Sequence, residues 1–312
     1  MAVVSRGRFV WHELLTTDPT AVAFYEKAIG WTVMKWDQDP NYRMFAWNGV
    51  PMAGLMSMPG ELASRGVPSH WTGYVTVPDV DATVAQAVGL GAVVHLQPMD
   101  VPTVGRVAAF HDPQGAAIGV FRPETPMERT DDPAMGDFSW HELITDDWKS
   151  AWEFYRALFG WEFDSQMDMG AAGTYWMFRR AGGPAAMGGM YNRPPEVPVS
   201  SWLAYIHVPS ADRVATLAPQ YGASVIAGPM EIPGGDRIAI LMDPHGASIA
   251  VHSPKPRAAV AKPKAATKPK PKAAAKPKAK QKAATKKAPA KKRPAGKSAR
   301  RPVKKAAPRK RR

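Results

Sequence analysis

An α+β body of two tandem copies of one domain, followed by a basic tail, is what this sequence predicts, and three observations carry the prediction. Trp11-His12-Glu13-Leu14 returns as Trp140-His141-Glu142-Leu143. Asp112-Pro113-Gln114-Gly115 returns as Asp243-Pro244-His245-Gly246. The offset is 129 residues at the first echo and 131 at the second, so the copies stay in register, as duplication of one folding unit requires. The third observation is charge. Of 41 Lys and Arg, 25 fall between Lys255 and Arg312, where no Asp or Glu occurs; the other 16 share the body with all 27 acidic residues, for a net −11. The formal +14 therefore averages an acidic body and a basic tail.

Each copy opens with a strand-like run, Phe9 to Thr16 and Phe138 to Thr145. A helix follows behind an acidic N-cap. Asp18 precedes Pro19, which suits a first helical position because it has no N–H to leave unpaired. In the second copy Trp148, Ala151, Trp152, Tyr155, Leu158 and Phe159 fall at helical spacing and form one apolar stripe that reads as core. Gly30 and Gly160 stop these helices, and strands rich in Trp, Val, Phe and Met come next.

A weaker repeat lies within each copy. Trp71 to Val77 reads as another strand, and the helix that Asp79 starts ends twelve residues on at Gly91, the same distance as Asp18 to Gly30. Ser210 to Gly222 keeps that distance in the second copy. The body thus holds four β-α-β-β-β modules. The two Asp-Pro-x-Gly runs read as hairpin turns, Pro presetting φ and Gly taking the left-handed position. The domains expected are residues 8–123 and 137–253, joined by a linker at 124–136 and followed by the tail at 254–312.

No cysteine occurs, which excludes disulfides, thiolate metal sites and a cysteine nucleophile. Met1 to Phe9 has no apolar signal-like stretch, and no apolar run is long enough to span a bilayer. The expectation is a cytoplasmic protein with no membrane span.

With Phe24-Tyr25 running on to Gly30-Trp31, Phe154-Tyr155 to Gly160-Trp161, Val77-Pro78-Asp79-Val80-Asp81, and Asp-Pro-x-Gly before the last strand, the body resembles the vicinal oxygen chelate superfamily. This is the fold of glyoxalase I, bleomycin-resistance proteins and extradiol dioxygenases. The resemblance covers about Arg8 to Pro254. It implies paired β-α-β-β-β modules whose curved sheets enclose a cavity. It also implies a divalent metal held by His on the first strand, His or Gln on the fifth and Glu on the last, acting as a Lewis acid. At the matching positions this chain carries Trp11, Thr72 and Gly119, and Trp140, Leu203 and Ala250. No cofactor is therefore expected, a divalent metal being possible only in another register.

His12 and His141 stand one residue from the expected ligand position, and successive strand residues face opposite sides. They read as metal ligands or bases if a bulge shifts the register, and otherwise as histidines bonded near the helix-facing side or at a strand edge. Glu13 and Glu142 share parity with Trp11 and Trp140, so by the resemblance they face the cavity. A carboxylate under an aromatic wall reads as a base or ligand anchor, or as the structural partner of a cation such as Arg106 or Arg237, which also correspond between copies. Met52, Met56, Met58, Met187 and Met190 lie near the fourth strands, where the family lines its pocket; flexible thioethers suit an adaptable cavity as well as a core. Trp11, Trp140, Arg106, Arg237, Met56 and Met190 are the ligand-contact candidates.

The tail is almost wholly Lys, Arg, Ala and Pro, and resembles the lysine-rich tails of linker histones and bacterial histone-like proteins. Such a composition cannot build a core, and it predicts disorder with an upper reach of roughly 180 Å at about 3.1 Å per residue. Lys262, Lys264, Lys276, Lys278, Lys291, Lys292, Arg293, Arg300, Arg301, Arg309 and Arg311 are candidate contacts to DNA or another polyanion, through phosphates and without base reading. In a bacterium this predicts nucleoid association. Three functional readings follow. The first is a glyoxalase-like protein with a degenerate metal site that binds a small apolar or aromatic molecule while its tail binds nucleic acid. The second is an active lyase, isomerase or dioxygenase, using a metal in a shifted register or Glu13 and Glu142 as bases. The third is a scaffold anchored by its tail. Oligomeric state and source organism stay open.

Overall fold

The computed structural model describes residues 6–19, 22–125 and 132–255, with the backbone alone described at 40 and 41. The candidate nucleic-acid contacts of the tail lie outside the described residues. Strands β1 (Phe9–Thr16), β2 (Thr32–Trp36), β3 (Asp39–Trp47), β4 (Val50–Ser57), β5 (His70–Thr76), β6 (Val93–Val101), β7 (Gly105–His111) and β8 (Ala117–Pro123) form one sheet. Its order is β2-β3-β4-β1-β5-β8-β7-β6. Strands β9 (Phe138–Thr145), β10 (Glu162–Asp168), β11 (Thr174–Arg179), β12 (Gly188–Asn192), β13 (Ser201–His207), β14 (Ser224–Glu231), β15 (Arg237–Met242) and β16 (Ser248–Ser253) repeat that order in a second sheet. The modules therefore pair within each copy, through antiparallel β1–β5 and β9–β13. Each sheet runs from edge to edge, and neither closes into a barrel.

Helices α1 (Gly60–Ser64), α2 (Val80–Gly89), α3 (Trp148–Phe159) and α4 (Ala211–Leu217) join a π-helical turn at Tyr25–Ile29. Asp79, Asp147 and Ser210 cap α2, α3 and α4 with side-chain oxygens on the first-turn amides, as their residue types predict. Of the helix expected after Asp18, the described part ends in the π turn, with Gly30 left-handed at φ 99°. Helix α4 is shorter than the spacing to Gly222 predicts: Pro219 cannot continue it, and a 3-10 turn at Ala218–Tyr221 completes the distance.

The helix-covered faces of the two sheets meet, and the two larger apolar clusters draw on both domains. One core joins Tyr25 and Ile29 of the π turn to Ala211 and Val214 of α4; the other joins Val80 and Val84 of α2 to Trp152 and Tyr155 of α3. Hydrogen bonds cross this seam in matched pairs. Tyr155 donates to Asp112 at 2.8 Å, and Tyr25 donates to Asp243 at 2.8 Å. Trp202 and Trp71 donate in turn to Tyr155 and Tyr25, at 3.0 and 3.1 Å. Trp161 reaches the carbonyl of Gly7 at 2.7 Å, and Trp31 that of Gly136 at 2.9 Å. A buried indole or phenol needs such a partner to offset its lost hydration. The Phe-Tyr, Gly-Trp and Asp-Pro-x-Gly echoes thus hold the domains to each other. Each turn Asp also accepts two amides of its own turn, Asp112 from Gln114 and Ala116, Asp243 from His245 and Ala247.

Candidate binding site on the open faces

Strand alternation sorts the first-strand residues. Leu14 and Leu143 point into the helix-side cores, so Glu13 and Glu142 face the uncovered side. Glu13 stands opposite Thr72 on β5 and Gly54 on β4, and the one register shift on β1 lies before Trp11. Trp11 and Glu13 therefore share the open face.

Around each carboxylate three matching side chains gather, one Trp and two Tyr. In the second domain Tyr175 donates to Glu142 at 2.8 Å and Tyr205 at 3.2 Å, while Trp140 donates to the Tyr175 oxygen at 2.7 Å. In the first, Tyr74 donates to Glu13 at 3.2 Å, Tyr42 bonds to it as well, and Trp11 donates to the Tyr42 oxygen at 3.1 Å. Glycine makes the room. A Cβ at Gly54 would run into the Tyr42 hydroxyl, and one at Gly189 into the Tyr175 ring. Trp11, Trp140, Tyr42 and Tyr191 are half-buried, forming a half-open aromatic rim over buried polar groups.

Burial pushes the Glu13 carboxyl above its ordinary value, against the hydrogen bonds from Tyr42 and Tyr74. Glu142 is pushed up the same way, against Tyr175 and Tyr205. The four phenols are raised too, first by burial and then by the neighbouring carboxylate. Each cluster thus keeps a proton-accepting oxygen beneath aromatic walls. Tyr42 and Tyr175 were missed in the sequence, although Tyr42-Arg43-Met44-Phe45 and Tyr175-Trp176-Met177-Phe178 repeat there.

Two domain models match this chain: "Glyoxalase-like domain" over residues 13–121, and "Glyoxalase/Bleomycin resistance protein/Dioxygenase superfamily" over residues 137–251. The chain belongs to the glyoxalase/bleomycin resistance protein/dioxygenase superfamily. CFP32 of Mycobacterium bovis, which bears a provisional glyoxylase name, is 35% identical over 229 residues, covering 71% of this chain and 85% of the relative. The anthracycline biosynthesis protein DauV of Streptomyces sp. strain C5 is 34% identical over 169 residues, 49% of this chain and 61% of that one. Among solved structures, the Mn(II)-bound glyoxalase of Novosphingobium aromaticivorans matches with TM-score 0.53 and 16% identity, over 80% of this chain and 82% of that one. An extradiol ring-cleaving dioxygenase from B. fuscum matches with TM-score 0.57 and 17% identity, over 81% and 73%. At such identities these likenesses are of fold.

The superfamily's chelating positions do not fit a metal here. The first-strand position holds an indole in each domain, Trp11 or Trp140. Thr72 offers only a hydroxyl, and Leu203, Gly119 and Ala250 offer nothing. The Tyr74 ring occupies the space a side chain at Gly119 would need, and Tyr205 pairs with Ala250 in the second domain. Among the described residues, no three His, Cys, Asp or Glu converge on a common point.

His12 and His141 turn to the seam instead. Their Nε2 atoms are 3.0 Å apart, and the two residues belong to different sheets. His141 Nδ1 lies 3.1 Å from the Met187 carbonyl; as the donor there it leaves Nε2 to accept from His12. Phe138 stacks on His12 with centroids 3.6 Å apart. A void of about 10 Å³ beside the pair, lined by Phe9, Trp71 and Trp202 among others, is at the lower limit of what one water needs.

Other expectations are corrected. Arg106 does not meet Glu13: its guanidinium grips Asp81 at 2.6 and 2.9 Å and reaches Asp100 at 3.0 Å. Arg237 grips Asp212 at 2.9 and 2.6 Å rather than Glu142. Acids on α2 and α4 match the fork geometry at the surface, where the charges stay hydrated. Met190 is fully buried in a helix-side core, because it pairs with Leu143 and takes that parity. Tyr191, opposite Ile144, occupies the open-face place that Met56 holds opposite Leu15. Met52 is likewise core.

A chain of bonds runs from Asp236 to His252 Nε2 at 3.0 Å and from His252 Nδ1 to Ser139 Oγ at 3.1 Å. The Ser139 hydroxyl also lies 3.3 Å from the Tyr205 carbonyl, to which it can only donate. With Asp236 accepting from Nε2–H, a neutral His252 turns its Nδ1 lone pair toward Ser139, whose one hydrogen is shared between that nitrogen and the Tyr205 carbonyl. Among the described residues, no helix is long and apolar enough to cross a membrane.

Proposed function

We propose that each open face binds a small, largely aromatic molecule, anchored through a hydroxyl or N–H group on Glu13 or Glu142. The observation that carries this reading is the duplicated cluster of Trp, two Tyr and Glu, in which a carboxylate, buried at Glu142 and half-buried at Glu13, accepts two phenols beneath a half-exposed indole. Aromatic walls supply contact area, and the carboxylate rewards a ligand donor that water would otherwise satisfy. The relative named for anthracycline biosynthesis supports the aromatic class, since anthracyclines are planar fused-ring compounds carrying phenolic hydroxyls. The basic tail, on this proposal, engages nucleic acid by counterion release.

The test is a tryptophan-fluorescence titration with 1,8-dihydroxyanthraquinone as probe. Saturable quenching that weakens in Glu142→Gln and Glu13→Gln supports the reading; quenching unchanged in both variants sinks it. For the tail, log K for duplex DNA plotted against log salt should fall with slope near −7 if about eight phosphates are neutralised. A slope near zero, or affinity kept after removal of residues 256–312, counts against it.

A second reading, proton transfer, rests on the raised carboxyl pKa of Glu13 and Glu142. A base is most effective when its pKa approaches the working pH. Recovery of the bound probe unchanged favours binding alone, whereas accelerated exchange of the acidic methylene C–H of 1,8-dihydroxyanthrone, used as a second probe, with deuterated solvent, lost in Glu142→Gln, favours catalysis.

A further inference from the structure

Three histidines gather on the open face of the first sheet, and none belongs to the Glu13 cluster. His70 opens β5 and His111 closes β7. His95 is the extra residue of a β-bulge in β6: Val94 stands opposite Phe110 and Leu96 opposite Ala109, leaving His95 between them unpaired in the ladder. A bulge re-aims the side chain it adds. Here it brings His95 Nδ1 to 3.2 Å from His111 Nδ1, with ring centroids 4.6 Å apart and planes at 51°.

We infer that His95 and His111, with His70 as third ligand, form a binding site for one divalent transition-metal ion such as Zn²⁺ or Co²⁺. Two nitrogens bonded at about 2.0–2.1 Å to a single tetrahedral ion stand about 3.3 Å apart. The 3.2 Å between the two Nδ1 atoms is already close to that separation. In the metal-free protein these atoms share one hydrogen; the ion takes both Nδ1 lone pairs, and the ring that carried the hydrogen there shifts to its Nε2–H tautomer, with no net release of a proton. His70 Nδ1 sits 2.8 Å from the Pro68 carbonyl, the outer-sphere bond that fixes a tautomer and leaves Nε2 to coordinate. Its ring must swing toward the pair, since no three such groups converge as placed. An all-imidazole set favours Zn²⁺, Co²⁺, Ni²⁺ or Cu²⁺ over Mg²⁺ or Ca²⁺. The second domain carries Ser201, Ile226 and Met242 at the corresponding positions, so the site is single. It is also distinct from the superfamily's chelating positions at Trp11, Thr72 and Gly119.

The experiment uses the full chain without an affinity tag, stripped with chelator and titrated with Co²⁺ while visible absorption is followed, and with Zn²⁺ by calorimetry. One equivalent is expected to bind. His95→Ala and His111→Ala should each lose more than the roughly 10–100-fold that loss of an outer-sphere partner costs. His70→Ala should weaken binding and alter the Co²⁺ spectrum. His252→Ala, on the open face of the second sheet, should leave binding intact. The proposal is overturned if the intact chain binds no ion, if His95→Ala retains its affinity, or if His252→Ala loses it equally. Thermal melts of each variant, with and without Zn²⁺, separate loss of the ion from loss of the fold: only the intact chain, His252→Ala and, more weakly, His70→Ala should rise in Tm with metal.

Discussion

Phe9 of the first domain lies flat on His141 of the second, with ring centroids 3.8 Å apart and planes within 4°. The contact has a pH signature. Burial holds His141 at about 4, against the pull of its bond to Met187. A lowered histidine stabilises the fold fully above its unfolded value near 6.5 and loses that contribution as pH falls toward 4. Urea unfolding between pH 7 and pH 4 should show stability falling, by up to about 1.4 kcal/mol per pH unit from this group. His141→Gln should flatten that slope; an unchanged slope would show that His141 is not the titrating group.

Glu142 predicts the opposite dependence. Its folded pKa is raised, so its contribution is fully present below about 4.5 and is lost as pH rises through the folded value. Glu142→Gln keeps an acceptor for Tyr175 and Tyr205 without the buried charge. Its Tm should match the parent near pH 4 and exceed it at pH 8, by about 2–4 °C per kcal/mol relieved. A loss of Tm at pH 8 would mean that the phenols more than offset the burial.

Gly189→Ala should be destabilising by about 1–3 kcal/mol, because the new methyl has nowhere to go but the Tyr175 ring. Denaturant unfolding gives the cost, and binding of the anthraquinone probe should fall with it. Gly246→Ala separates crowding from backbone strain: it meets nothing nearby, but its φ of 90° penalises any side chain.

Tyr155→Phe leaves an oxygen of Asp112 and the indole N–H of Trp202 without a shared partner. A cost of about 1–3 kcal/mol is expected for each buried group left unsatisfied. Asp112, already raised by burial against the Tyr155 bond, should rise further. The variant's stability deficit should therefore narrow at acid pH, where that carboxyl takes up a proton. A deficit that is constant from pH 4 to pH 8 would contradict the shared Tyr–Asp bond.

Much of this fold is written in local spacing. Asp79 and Ser210 cap the helices their neighbours predict, and the parity of Trp11, His12 and Glu13 follows from strand alternation once β1 is recognised. What stayed hidden depends on pairing between distant segments. Tyr42 reaches Glu13 only because β3 and β1 flank β4 with Gly54 between them. Met190 and Tyr191 differ by one residue, and strand register decides which of them sees the open face. Arg106 had several acids to choose from, and chain order does not say which one α2 will present. His95 owes its direction to a bulge that no residue type announces.

The bonds across the seam are reciprocal: Tyr155 to Asp112 and Tyr25 to Asp243, Trp161 to Gly7 and Trp31 to Gly136. Each copy, taken with the glycine just before its first strand, therefore owns both the donor and the acceptor of every such pair. One domain alone carries both halves of each of these bonds, the self-complementarity that an isologous twofold interface requires. The linker between residues 124 and 136 then sets the local concentration of a partner that each half already specifies.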